Sequence, residues 1–95
     1  MSASKPVRRI TIADIARMYE AGERFATITA YDYPTARIVD EAGIPLILVG
    51  DSLGMVMLGY DTTVRVSISE MLHHTRAVAR GAKRSMVVGD MPFLS

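Results

Sequence analysis

The chain of 95 residues contains no cysteine and no tryptophan. Without thiols there is no disulfide, no thiolate metal site and no cysteine nucleophile, and such a composition fits a reducing compartment. An excess of one charge is missing too: eleven basic against ten acidic residues leave a formal charge of +1. That balance offers no electrostatic footing for nucleic acid. The longest apolar run, Ile44 to Val49, is far short of the roughly 18 residues a membrane helix needs. The stretch Met1 to Arg9 has no apolar segment behind its positive charges, so no signal peptide is expected. Walker loops, GxGxxG runs and Ser-His-Asp arrangements are not visible. Apolar residues are plentiful, 49% against 22% charged, and a chain of this kind buries a core instead of staying disordered. The expectation is a soluble, cytoplasmic chain that forms one small domain or a piece of a larger one.

Residues 1–10 read as a flexible polar arm, and residues 11–95 as part of a single domain. Thr11 and Asp14 can cap a helix in which Ile12, Ile15, Ala16 and Tyr19 form an apolar stripe, closed by Gly22. Phe25 to Ala30 reads as a strand. Asp32 and Pro34 open a second helix with Ala36, Ile38, Val39 and Ala42 on its buried side, ending at Gly43. Pro45 to Val49 is a continuous apolar strand of the type covered on both faces in a parallel sheet. Gly50 to Val66 reads as a long loop with one helical turn. Ser67 and Glu70 form a capping box for a helix with Ile68, Met71, Leu72, Thr75, Val78 and Ala79 inward and Gly81 at its end. Ser85 to Gly89 is the third strand. Alternating strands and helices imply right-handed βαβ crossovers and a parallel sheet. Three strands are too few to close a barrel, which needs roughly 250 residues, so the chain reads as the first part of something larger.

Two strands end almost alike, Leu48-Val-Gly-Asp51 and Val87-Val-Gly-Asp90. Each sets a glycine and then an aspartate at the C-terminal strand edge, where α/β proteins build their sites. On neighbouring strands about 4.8 Å apart, Asp51 and Asp90 share one small volume. Two carboxylates that close repel unless one is protonated or a cation lies between them. A hard divalent ion such as Mg²⁺, completed by water and substrate oxygens, resolves the conflict. Strand-terminal aspartates also serve as helix caps and turn formers, and spacing leaves both roles open. Asp32 is better explained by capping, given Pro34. His73 and His74 point about 100° apart on a helix and cannot chelate one ion together. Arg76, Arg80, Lys83 and Arg84 suit the negative end of their helix dipole.

The runs Thr29-Ala-Tyr-Asp-Tyr33, Asp40-Glu-Ala-Gly-Ile-Pro45, Val49-Gly-Asp-Ser52, Gly59-Tyr-Asp-Thr-Thr-Val64 and Val88-Gly-Asp-Met-Pro-Phe93 resemble the ketopantoate hydroxymethyltransferase family, in order and over residues 8–95. The resemblance implies the first three βα units of a (β/α)8 TIM barrel of the phosphoenolpyruvate/pyruvate superfamily, with an N-terminal helix plugging the barrel and a homodecameric assembly. It implies transfer of a hydroxymethyl group from 5,10-methylenetetrahydrofolate, the co-substrate, to 3-methyl-2-oxobutanoate. The product is 2-dehydropantoate, in pantothenate and coenzyme A biosynthesis, reached through a Mg²⁺-stabilised enolate. By the same resemblance Asp51 and Asp90 are Mg²⁺ ligands, and Asp51, Ser52 and Asp90 contact the keto acid; Tyr31, just beyond the first strand, reads as a wall of the pocket.

The family's keto-acid lysine, its metal-binding glutamate and its general base, another glutamate, match no position in residues 1–95, so no catalytic base is assigned here. Arg65 stands where the family commonly has proline, and Leu94 where it has glycine. The expectation is an N-terminal portion of the enzyme that is inactive alone. The alternatives are a self-associating half-barrel without activity, and a related Mg²⁺ enzyme acting on another α-keto acid.

Overall fold

A computed structural model describes residues 8–94; residues 1–7, most of the expected arm, lie outside them. The chain runs α1 (Ile12–Glu20), β1 (Thr27–Thr29), α2 (Tyr33–Glu41), β2 (Leu46–Val49), α3 (Leu53–Val56), a 3-10 turn (Thr63–Arg65), α4 (Ile68–Gly81) and β3 (Met86–Gly89). The helix starts follow from side chains that satisfy otherwise orphaned N–H groups. The Thr11 hydroxyl accepts the Asp14 N–H while the Asp14 carboxylate accepts the Thr11 N–H at 2.8 Å. Ser67 and Glu70 repeat the exchange at α4, and Asp32 accepts the Thr35 N–H at 2.8 Å for α2. Beyond α1 and α2 the chain turns through Gly22 and Gly43, with φ of +71° and +86°, the left-handed conformation that glycine takes without penalty.

The sheet is parallel with order β1-β2-β3. Right-handed crossovers between successive neighbours put both connecting helices on one face. Accordingly α2 packs on α4, and α4 on β2 and β3. Along β2, Ile47 and Val49 are fully buried under those helices while Leu46 and Leu48 are half-buried. The strand read as covered on both faces is therefore covered on one by the described residues. Ala30, Ala36, Val39, Leu53, Val66, Met71, Val78 and Ala82 complete the core. No helix among the described residues is long and apolar enough to cross a membrane.

Several details differ from the sequence reading. β1 begins at Thr27 because its ladder starts opposite Leu46, the first residue of β2. The stripe of α1 is little covered by the described residues: Ile15 is half-buried, but Ile12 and Tyr19 are 78% and 84% exposed. The buried residue of α1 is Asp14, wrapped by Arg8, Arg17 and Thr11, with its carboxyl held well below the usual range by the Arg8 guanidinium first. On α4, Ile68 and Leu72 are 46% and 45% exposed. The last residues of the expected arm are held in place: Arg9 donates to the carbonyls of Ala79, Ala82 and Ser85, and the Ile10 N–H to that of Arg84 at 2.7 Å. Gly81 is the final residue of α4, and it permits contact: a Cβ there would lie 2.6 Å from the Tyr33 carbonyl oxygen and 3.0 Å from the Ala36 Cβ.

Candidate functional site

The C-terminal strand edge gathers Tyr31, Gly50, Asp51, Ser52 and Asp90. Strands β2 and β3 pair Leu48 with Val88 and Val49 with Gly89. The two Val-Gly-Asp runs are therefore offset by one residue, so that Asp90 comes opposite Gly50 and Asp51 lies one step further on. The offset suits a contact between main chain and side chain: the Asp51 N–H donates to Asp90 Oδ2 at 3.1 Å, while the Asp90 N–H continues the ladder to the Val49 carbonyl at 3.0 Å. Gly50 leaves room between them. A Cβ at that position would lie 3.4 Å from Ser52 Oγ and 3.6 Å from Asp90 Oδ2.

Ser52 precedes α3 as its N-cap residue but makes no capping bond. Its backbone is already helical, at φ −57° and ψ −14°, and a serine usually caps from an extended conformation. Its hydroxyl lies instead 2.6 Å from the Tyr31 hydroxyl. His74 Nδ1 lies 2.7 Å from the Tyr31 carbonyl oxygen, linking α4 to the end of β1. Asp51, Ser52, Asp90, Tyr31 and His74 are all half-buried. Among the described residues no cluster of three or more metal-ligating side chains occurs; what joins Asp51 to Asp90 is the Asp51 N–H. Two carboxylates and a hydroxyl are hard oxygen donors, the kind Mg²⁺ takes. Asp32, at the same edge, is spent on its cap; the Thr35 N–H holds its carboxyl below the ordinary value.

The long loop is fastened to the start of α4. The Tyr60 hydroxyl donates to Glu70 Oε2 at 2.5 Å, which lowers the Glu70 carboxyl and raises the Tyr60 phenol. Arg65, at the position where a proline is common in the resembling family, stacks its guanidinium 5.0 Å from the centre of the Tyr60 ring. Leu94, at the glycine position of that family, has φ +58°, a conformation that costs a residue with a Cβ about 1 kcal/mol or more.

Sequence reading missed His74 as a tether and Asp40 as an anchor. Asp40 Oδ1 accepts the N–H groups of Arg84 and Ser85 at 2.8 and 2.7 Å, fixing the entry to β3. A signal was available: an aspartate in the last turn of a helix opposes the dipole, so its presence points to a tertiary partner.

These features define a parallel α/β protein with successive strands adjacent and with Asp51 and Asp90 both at their C-terminal edge. The family model described as ketopantoate hydroxymethyltransferase matches residues 9–95, and the chain belongs to that family. It is 62% identical over 87 residues to the 3-methyl-2-oxobutanoate hydroxymethyltransferase of Chloroflexus aurantiacus, covering 92% of this chain and 31% of that protein. The enzymes of that name from Carboxydothermus hydrogenoformans and Ignicoccus hospitalis are 62% and 56% identical over the same length, with 32% and 33% of each covered. The chain thus spans about a third of the length of the curated relatives it matches.

Proposed function

We propose that this chain supplies the keto-acid and Mg²⁺ half of an active site that transfers a hydroxymethyl group from 5,10-methylenetetrahydrofolate to 3-methyl-2-oxobutanoate. The observation that carries this reading is the contact of Asp51 with Asp90 beside a serine hydroxyl released from capping. The names of the relatives supply the acceptor and the group transferred; the folate donor comes from the family resemblance. The three strands are read as the first three of a (β/α)8 barrel, with α1 toward its N-terminal end, in a homo-oligomer. Neighbouring strand order and the anchoring of Arg9 and Ile10 at the N-terminal edge of β3 support this placement.

Asp51 and Asp90 would hold Mg²⁺ with water, keto-acid oxygens and a glutamate from elsewhere in the barrel. When bound, the ion supplies Lewis-acid polarisation of the keto acid's oxygens. The Asp51 N–H fixes the orientation of the Asp90 carboxylate. The Ser52 hydroxyl and N–H orient the keto acid's carboxylate as donors. Gly50 leaves the floor of the site open for the ligand. The proton at C3 leaves to a base that this segment does not provide.

The test is exchange of the C3 proton of 3-methyl-2-oxobutanoate in D2O, followed by proton NMR with the full-length purified protein, with Mg²⁺ and with EDTA. This readout needs no folate. Exchange that depends on Mg²⁺ is expected; a folded protein longer than 95 residues that catalyses none overturns the reading. The exposed Ile12 and Tyr19 favour a second reading, a catalytically incomplete half-barrel that associates with itself. It predicts a purified species of 10.4 kDa per chain that forms oligomers and catalyses no exchange.

A further inference from the structure

We propose that Tyr31 is a positioning residue for Ser52: its hydroxyl donates to Ser52 Oγ, leaving the Ser52 hydroxyl proton for an anionic ligand group, while His74 fixes Tyr31 through its backbone carbonyl.

The two hydroxyls lie 2.6 Å apart, close for an O–H···O bond. A phenol is a stronger proton donor than an aliphatic hydroxyl, because its conjugate base is far more stable. Tyr31 therefore donates and Ser52 accepts. Ser52 keeps its own proton, since no capping bond competes for its oxygen. A serine hydroxyl whose oxygen accepts from a fixed donor has a restricted rotor, and its O–H is turned away from the tyrosine, free for another acceptor. The chain of bonds thus ends in a donor, which selects an anionic acceptor such as a carboxylate.

The tyrosine is held at both ends. A carbonyl only accepts, so the 2.7 Å contact between His74 Nδ1 and the Tyr31 oxygen requires the proton on Nδ1. This bond crosses from α4 to the segment after β1, from residue 74 to residue 31. It sets where the Tyr31 backbone leaves the strand and hence where its ring reaches. His74 touches no ligand in this scheme; it acts through Tyr31.

The identity of the ligand rests on the function proposed above, whereas the link between the side chains does not. The experiment titrates the full-length purified protein with 3-methyl-2-oxobutanoate in the presence of Mg²⁺ by calorimetry, for a double-mutant cycle. Tyr31→Phe removes one oxygen and should weaken binding by about five- to tenfold, the usual worth of one hydrogen bond. Ser52→Ala should weaken it at least as much. In the Ser52→Ala background, Tyr31→Phe should add nothing, because the partner it acts through is gone. His74→Ala should weaken binding in part, and His74→Asn, which keeps a donor near the Nδ1 position, should restore it. Where the complete enzyme turns over, Tyr31→Phe should raise the keto-acid KM and leave kcat nearly unchanged.

Carbon-13 labelling of tyrosine adds a readout free of ligand. The resonance of the Tyr31 carbon that bears the hydroxyl, identified by its loss in Tyr31→Phe, should move in Ser52→Ala. Full additivity in the cycle, or unchanged affinity in Tyr31→Phe, overturns the positioning role while keto-acid binding stands. No binding by the unsubstituted protein overturns the keto-acid reading, and the tyrosine resonance then decides the side-chain link: a fixed resonance in Ser52→Ala refutes it, and a shifted one upholds it.

Discussion

Asp90 takes the backbone N–H of Asp51 at 3.1 Å, although the sheet register sets Asp90 opposite Gly50 and not opposite Asp51. The carboxylate is thus aimed by the main chain of the neighbouring strand. Its charge and its orientation can be separated by substitution, since an amide oxygen accepts the same N–H without carrying the charge.

Asp90→Asn should preserve the fold and the contact to Asp51 while weakening Mg²⁺ binding by at least roughly tenfold, the loss seen when even an outer-shell partner of a metal ligand is replaced. Asp51→Asn should do likewise. Ser52→Ala should leave Mg²⁺ affinity nearly intact and reduce affinity for the keto acid. Calorimetric titration with Mg²⁺ reads all three variants. Unchanged metal affinity in both aspartate variants removes Asp51 and Asp90 from the metal site.

Asp40 predicts a pH dependence of stability. Burial acts to raise its carboxyl, but the N–H groups of Ser85, Arg84 and Lys83, helped by the Ser85 hydroxyl, outweigh burial and set it below the ordinary value. A lowered carboxyl adds stability above the unfolded value, near 4, and loses it as pH falls through the lower folded value. Asp40→Asn should therefore cost about 2 kcal/mol at pH 7, the worth of hydrogen bonds to a charged group. The gap from the unsubstituted protein should narrow at about pH 3. Urea unfolding at the two pH values measures this, and a gap that stays constant with pH would show that the charge is irrelevant.

The local rules were legible from the residues. Thr11 with Asp14, Asp32 with Pro34, and Ser67 with Glu70 marked helix starts that the structure keeps, because capping is decided by residues within one turn of each other. The alternation of strands and helices gave the parallel sheet for the same reason. What was hidden depends on partners distant in sequence. Periodicity showed which face of α1 is apolar, but it cannot say whether anything covers Ile12 and Tyr19. Two similar Val-Gly-Asp endings suggested equivalent places, whereas the register between strands is set by how α4 returns the chain and by Asp40 holding Arg84 and Ser85. The Asp90 carboxylate still meets the Asp51 main chain across the offset, because a side chain reaches one residue further than a backbone. The link from His74 through Tyr31 to Ser52 spans three elements, and no spacing rule reveals it.

Gly81 separates local propensity from packing. Replacing a helical glycine with alanine favours the helix by about 1 kcal/mol. Here the added Cβ would stand 2.6 Å from the Tyr33 carbonyl, a backbone atom that cannot swing aside, and 3.0 Å from the Ala36 Cβ. Forcing α2 from α4 should cost about 2–3 kcal/mol, as overpacking does. Gly81→Ala should thus lower the urea midpoint; a higher midpoint would mean that the two helices approach less closely than described.

The 95 residues on their own should associate. Among the described residues strands β1 and β3 each pair only with β2, so the sheet they form has two open edges, and open edges recruit further strands. Its face away from α2 and α4 carries Leu46, Leu48 and Val88 without full cover, and α1 presents Ile12 and Tyr19 to solvent. Light scattering on the isolated chain should give a mass above the 10.4 kDa of one copy. Ile12→Lys combined with Tyr19→Lys should lower that mass if the α1 face contributes, and should leave it unchanged if the sheet alone drives assembly. A monomer at every concentration, with no binding of a hydrophobic dye, would mean that these faces do not act as interfaces. The apolar surface would then be too dispersed to bury cooperatively, and the half-barrel reading would lose its support.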